Sequence, residues 1–360
     1  MPEAVDDFEL RHQFADFSTT AMSRAPLYAS LSRAVSQEPA LYRLLLHAPP
    51  TQRLPVLLFA CVHELLIEQP GHQLAGWYPN LSDGHRSPTD PQLVRVFRAF
   101  VESHRERLAE LLARRTTQTN EVGRCGSLLP ALGLLGDEVG ALGLLDVGTS
   151  GGLNLLLDRY EYLYRAADGA SRRVGASSTV AIHVDTTGAV PVPRVLPYIT
   201  ARCGIDQRPI DVTDDAEARW LEACVWPDQA DRFHRLVAAI DIARRQPPEI
   251  LAGDAVASLA TGVQRVGAAA HPVVTNSWVL NYLTSDDRVA YLTELERIGA
   301  ERDLSWVYAE APIHIPELPI SADQKDPHRT ALTMVRWRNG ERTVDHLATV
   351  HPHGFWMHWH

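Results

Sequence analysis

The sequence predicts an α/β fold: a doubly wound, mostly parallel sheet with a C-terminal antiparallel hairpin at one edge, preceded by an α-helical domain. Three observations predict it. First, residues 141–160 pass from an apolar run (Leu142, Leu144, Leu145) through Asp146 into a turn rich in glycine, Gly148, Gly151 and Gly152. Helical spacing follows at Leu153, Leu156, Leu157 and Tyr160. Strand, glycine turn and helix in that order make the first unit of a nucleotide-binding sheet. Second, short apolar segments alternate with helical ones after this turn, and none of strand period precedes Leu142. Third, residues 332–338 and 343–350 alternate around Asn339-Gly340, the strongest short hairpin signal.

In chain order, residues 8–139 read as helices. Phe14, Phe17, Met22, Leu27 and Leu31 recur at mixed three- and four-residue spacing, and residues 54–67 and 93–112 repeat the pattern. Thr119-Asn120-Glu121-Val122-Gly123-Arg124 then precedes an apolar stretch at 128–135 that should run antiparallel into the first strand. The start of that helix would lie at the strand's carboxyl edge, where open sheets bind ligands, and Glu121 and Arg124 would face a pocket. The plainer reading is a cap by Thr119 or Asn120 with a Glu–Arg surface pair. A hairpin insertion is expected at about 169–196, at an edge. Four more core strands follow, ending at Asp206, Asp254, Asn276 and Glu310, with one long helix at 214–244 and a last strand at 355–359. A polar residue closing each successive strand, with Asp146 closing the first, is what a shared pocket along one sheet edge requires. The expected domains are a helical cap at 1–118 and the α/β domain at 119–360.

Composition narrows the function. The net charge is −10, from 34 basic and 44 acidic side chains, and no basic tract stands out. That argues against a general nucleic-acid or anionic-membrane binder. Cys61, Cys125, Cys203 and Cys224 are scattered without Cys-x-x-Cys spacing, which fits a reduced cytosol and suggests no structural zinc. Glu3, Asp6, Asp7 and Glu9 stand where a secretory leader would be basic, and no apolar run approaches membrane-spanning length. The expectation is a soluble cytoplasmic protein acting on a small molecule, without a metal.

The order Asp146-x-Gly148-x-x-Gly151-Gly152, then Gly204-Ile-Asp206, then Gly253-Asp254-Ala255 and a terminal hairpin resembles class I S-adenosylmethionine-dependent methyltransferases. The longer strings at 117–124, 204–211, 220–228 (Trp-Leu-Glu-Ala-Cys-Val-Trp-Pro-Asp) and His351-Pro-His-Gly354 resemble a bacterial family, domain of unknown function 2332, over nearly the whole chain. The methyltransferase resemblance implies S-adenosylmethionine as cofactor. Gly148, Ser150 and Gly152 would admit its methionine part, Asp146 would hold the ammonium group, Asp206 the ribose hydroxyls and Asp254 the adenine amino group. Asn154 and Asn276 would orient it. Two features depart from the pattern: Ser150 stands where many members carry glycine, and Asp206 lies far from the turn, leaving Asp211 as a rival for the ribose.

Methyl transfer from a sulfonium is an in-line displacement, and an O- or N-nucleophile needs a base nearby. His353, His351, Glu310 and Glu121 are the candidates, with Arg124, Asn120, Trp278 and Tyr282 toward the substrate. The plainer readings are a turn for His-Pro-His-Gly and core packing for the aromatics. Gly148-Thr-Ser150-Gly-Gly152 also satisfies Gly-x-Ser-x-Gly, so an α/β-hydrolase-type esterase with Ser150, Asp254 or Glu310, and His351 or His353 is the alternative. A non-catalytic binder on the same fold is the third reading.

Overall fold

The computed structural model describes residues 2–319 and 329–360, with side chains from residue 7 onward. Helices α1 (Pro2–Thr20), α2 (Pro26–Val35), α3 (Pro39–Tyr42), α4 (Pro55–Glu68), α5 (Leu93–Ser103) and α6 (Arg105–Arg114) come first, and α7 (Arg124–Val139) leads into the sheet. After the sheet begins come α8 (Asp215–Ala223), α9 (Ala230–Arg245), α10 (Ala255–Val266) and α11 (Ser285–Glu301). The chain divides into two compact units, residues 1–119 with 214–237 and residues 120–213 with 238–360. The expected boundary at 118 therefore omitted the second segment of the helical unit. The single long helix expected at 214–244 is two helices. Pro227 lies between them, where a missing N–H and a fixed φ interrupt the helical ladder.

In the helical unit, α4 begins with Pro55 at its first turn and is buried along nearly its whole length. Phe59 of α4 meets Phe14 edge-on at 5.9 Å and stacks on Tyr28 at 4.8 Å. His63 is wholly buried; its Nδ1 donates to the Ala223 carbonyl (3.0 Å) and its Nε2 accepts from the Asn80 amide (2.9 Å). Both partners suit a neutral ring, and burial holds the imidazole down to about 4. Because the unfolded chain takes up the proton first, this group stabilises the fold above pH 6.5 and the stability is lost as pH falls toward 4. The expected loss is about 3 kcal/mol, readable as faster amide exchange in α4 across that window.

The strands are β1 (Leu142–Val147), β2 (Glu161–Ala166), β3 (Ser171–Val174), β4 (Ala181–Thr187), β5 (Ile199–Asp206) and β6 (Ile250–Ala252). They continue with β7 (His271–Ser277), β8 (Leu304–Glu310), β9 (Thr330–Arg338), β10 (Glu341–Val350) and β11 (Trp356–Trp359). Among the described residues they form one sheet of eleven strands, β3-β2-β4-β11-β10-β9-β8-β7-β1-β5-β6. The run β6-β5-β1-β7-β8 is parallel throughout. The chain steps outward from β1 to β5 and β6, then returns to the other side of β1 for β7 and β8. The carboxyl ends of β1 and β7 therefore flank a topological switch point, the place where open sheets hold ligands. Leu145 and Val147 of β1 share a core with Leu259 and Val263 of α10, Tyr291 and Leu295 of α11, and Trp306 of β8.

Three expectations need correction. The β9–β10 hairpin is not at an edge: β11 pairs antiparallel with β10, and β4 pairs parallel with β11. Residues 169–196 are no simple hairpin. Here β3 pairs back onto β2, β4 runs parallel to β2, and residues 188–198 are not strand. Residues 153–159 are a short 3-10 segment with a kink at Leu156, not a crossover helix. Leu153 through Leu157 are all buried, so no polar face exists to set a helical period, and Glu161 must already be in β2.

Candidate functional site

At the end of β1 the backbone turns through Gly148 (φ +72°), Ser150 (φ +54°) and Gly152 (φ +73°). A side chain at Gly148 would collide with Val279, and one at Gly152 with Pro248. The N–H groups of Gly148, Thr149, Ser150 and Gly152 are engaged within the protein. Gly148 and Thr149 N–H donate to the Ile205 carbonyl (2.8 and 3.2 Å), and Gly152 N–H donates to the Thr149 carbonyl (2.9 Å). Ser150 N–H donates to Asp206 Oδ2 at 2.8 Å, and Leu153 N–H to Asn120 Oδ1 at 3.2 Å. Asp206 takes a second backbone donor, Arg208 N–H, on its other oxygen at 2.8 Å. A phosphate cradle works the other way, with free N–H groups aimed at the anion. This turn, braced on a carboxylate, suits a neutral or cationic group. A small cavity of about 240 Å³ beside it is lined in part by Gly151, Ile210, Asp211, Pro248 and Ile250.

Across the switch point, β1 and β7 pair in a register that sets Asp146 opposite Thr275. The Thr275 hydroxyl donates to Asp146 Oδ1 at 2.9 Å. Burial pushes the Asp146 carboxyl up to about 6, against that hydrogen bond and the Arg124 charge. Glu310, at the end of β8, is wholly buried. Its Oε1 accepts from Asn276 Nδ2 (2.8 Å), Val279 N–H (2.9 Å) and Leu280 N–H (3.3 Å), while Oε2 has no hydrogen-bond partner among the described residues. Burial raises this carboxyl to about 7 despite those donors. Asn276 is also wholly buried, and its Oδ1 accepts from Trp306 Nε1 at 2.6 Å. Both ends of the Asn276 amide are thus engaged by protein, and its role in this structure is to position Glu310.

The turn after β7 carries a second backbone outlier, Trp278 at φ +56°. For a bulky residue this region costs about 1–3 kcal/mol and needs outside support. Support comes from each flank: Arg124 donates to the Ser277 carbonyl (2.8 Å), Trp278 N–H to the Ala309 carbonyl (3.1 Å) and Val279 N–H to Glu310. The half-buried indole donates to Thr330 Oγ1 at 3.1 Å and lies 6.4 Å from the His314 ring.

Two of the strings singled out in the sequence meet here. Gly354 (φ +76°) approaches so closely that a side chain on it would collide with the Gly123 carbonyl oxygen. Arg124 Nε donates to the Pro352 carbonyl at 2.9 Å. Glu121 is buried, accepts from Gly123 N–H at 2.9 Å, and its other oxygen lies 3.6 Å from His353 Nδ1. His351 has a structural part: its Nδ1 accepts from His353 N–H at 3.0 Å and its ring stacks on Phe355. At that distance the carboxylate and the partly exposed imidazole are within ion-pair range but beyond a hydrogen bond.

Other candidates stand apart from this centre or do other work. Asp254 caps α10 through Val256 and Ala257 N–H, and Asn120 caps the segment after the glycine turn, not α7. Asp211 accepts from Thr213. Asn154 is buried beside Cys125, whose thiol approaches its Oδ1 at 3.4 Å. Tyr282 is 80% exposed. Thr275, Trp306 and Val279 were missed. Thr275 was findable as the polar residue just before Asn276, whereas nothing local marks the other two. Among the described residues no three His, Cys, Asp or Glu side chains stand together as a metal site, and no helix is long and apolar enough to cross a membrane.

The chain belongs to a family described as an uncharacterized protein conserved in bacteria, DUF2332, whose model matches residues 11–359. No curated protein and no solved structure matches it.

Proposed function

We propose that this chain is an S-adenosylmethionine-dependent methyltransferase acting on a small or medium-sized O- or N-nucleophile. One observation carries the reading: a glycine turn at the switch point of the parallel run β6-β5-β1-β7-β8, with the N–H groups of Gly148, Thr149 and Ser150 held by the Ile205 carbonyl and Asp206. That chemistry disfavours a pyrophosphate and favours an adenosyl ligand that carries positive charge and no phosphate. The strand order and the antiparallel strands after β8 support a methyltransferase-like form of the Rossmann architecture.

When bound, the cofactor supplies a methyl group already activated on sulfur. The protein's part is alignment, exclusion of water and proton handling. Asp146, buried at the end of β1, would receive the ammonium of the methionine part. Asp206 uses two acceptor positions on the backbone and keeps others for the ribose hydroxyls. His353, with Glu121 3.6 Å from its Nδ1, would take the proton of the acceptor, and Arg124 fixes the turn that carries it.

Calorimetric titration with S-adenosylmethionine and S-adenosylhomocysteine tests this. Micromolar binding is expected, weakened at least about tenfold in Asp206→Asn, which keeps the side chain's size and removes its charge. No binding by folded protein would overturn the reading. The positive φ of Ser150 favours the esterase as second reading, because a nucleophile elbow needs that strained turn. Labelling of Ser150 by a fluorophosphonate, with no cofactor binding, would establish it instead.

A further inference from the structure

We propose that the groove between the second half of α7 and the proline-rich segment 190–198 binds a small amphipathic acid, an apolar chain ending in a carboxylate. The site is separate from the one described above and does not rest on the cofactor reading. Ala141 and Tyr198 line it immediately before β1 and β5 begin, so it lies at the amino edge of the strands, opposite the switch point.

Glycine and proline build the groove. Pro193 and Pro197 lie over Gly133 and Gly136, which stand one turn apart on α7. A Cβ on Gly133 would come within 2.9 Å of Pro193, and one on Gly136 within 3.5 Å of Pro197. Pro191, Pro193 and Pro197 have no N–H for a strand ladder and a fixed φ, so the segment stays outside the sheet as a stiff wall. The cavity between wall and helix measures about 830 Å³. Small-molecule sites run from about 300 to 1,000 Å³.

The lining selects the ligand. Leu134, Val195, Leu196 and Tyr198 give it an apolar body. Val195 is 76% and Tyr198 71% exposed, more than any other large apolar side chain among the described residues except Tyr282. An apolar chain in the groove would take that surface out of water. The charged lining residues are Arg172, Arg194 and Asp137. Arg172 donates from Nη1 to the Val192 carbonyl at 2.8 Å and keeps its other guanidinium donors. Arg194 is exposed and makes no hydrogen bond or ion pair among the described residues. In a chain of net charge −10, two arginines against one aspartate reverse the local sign. A guanidinium pairs with a carboxylate through two parallel hydrogen bonds. Orientation follows as well. Asp137 and the carbonyl end of α7 stand at the Pro197 end and repel an anion, whereas Arg172 is tied to Val192 at the other end. The carboxylate therefore faces Arg172 and Arg194, and the chain runs toward Ala141.

Decanoate and decylamine serve as matched probes, with acetate as the head group alone, titrated calorimetrically into the full chain. Decanoate is expected to bind with a Kd below about 100 μM and at least tenfold more tightly than decylamine, with no detectable acetate binding. Arg194→Glu and Val195→Asp should each weaken decanoate at least tenfold without lowering the melting temperature, because both side chains are exposed. Arg95→Glu makes the same charge change on an exposed position of α5 and should leave the affinity within about twofold. Saturating S-adenosylhomocysteine should not displace decanoate. Absence of decanoate binding, equal binding of decylamine, or indifference to both groove variants would overturn the proposal. So would an equal loss in Arg95→Glu, or displacement by S-adenosylhomocysteine, which would put decanoate at the switch point. Cosedimentation with phosphatidylglycerol vesicles in the absence of decanoate binding would identify a lipid surface instead and overturn it too.

Discussion

Gly354→Ala is expected to destabilise the sheet-containing unit by about 4 kcal/mol and to separate His353 from Glu121. Two effects combine. Alanine at φ +76° is strained, and its Cβ would overlap the Gly123 carbonyl oxygen, a backbone atom that cannot swing aside as a side chain can. Relief requires the His351–Gly354 turn to move off the start of α7, which breaks the Arg124–Pro352 hydrogen bond as well. Gly340→Ala is the control, because Gly340 also has positive φ (+81°) but nothing stands within 4 Å of an added Cβ. It should cost only about 1 kcal/mol. Denaturant titration of both variants measures the difference. Equal costs would show that the close approach to Gly123 has no energetic weight.

Glu310→Ala is expected to cost about as much by a different route. It leaves Asn276 Nδ2 and the N–H groups of Val279 and Leu280 without their acceptor inside the protein. Buried donors left unpaired cost about 1–3 kcal/mol each, so a loss of about 4 kcal/mol is expected. Glu310→Gln should be nearly neutral at low pH, since an amide oxygen can receive the same three donors and its NH2 replaces a carboxyl proton. The pH dependence separates the two variants. The folded carboxyl sits near 7 against an ordinary 4.5, so the folded state binds the proton more tightly. Its contribution is fully present below pH 4.5 and is lost as pH rises through 7, by about 3 kcal/mol. Asp146 follows the same sign between 3.8 and 6. Glu310→Gln has no proton to lose there, so its stability relative to the parent should climb across that window. A parallel pair of profiles would show that Glu310 is ionised throughout.

Much of this was legible in the residues, because some local signals are strong. Asn339-Gly340 forms its hairpin with both φ values positive (+53° and +81°), as that dipeptide favours. The polar residues closing the parallel strands could be placed because strand period and length fix where a strand stops. What those side chains do was not legible. Asp254 caps a helix and Asn276 is held between Trp306 and Glu310, and both depend on partners set by tertiary geometry. The raised carboxyl of Glu310 depends on complete burial, which no local pattern reports. The β2–β3–β4 extension was hidden for a similar reason: β4 pairs with β11 across nearly half the chain. The strings at 117–124 and 351–354 gave no hint in isolation that they would touch, since the contact is made by backbone atoms of two glycines.

The position of β11 bears on how the molecule is assembled in time. Among the described residues, β3, β2 and β4 reach the rest of the sheet through this four-residue strand, which lies far downstream of them. While the chain is being synthesised, β4 and β10 must therefore wait with open hydrogen-bonding edges until residues 356–359 arrive. Such non-local closure is slow, and exposed edges invite pairing with other chains. Until β11 is in place those edges stay exposed, and β11 acts as a keystone that ends that exposure.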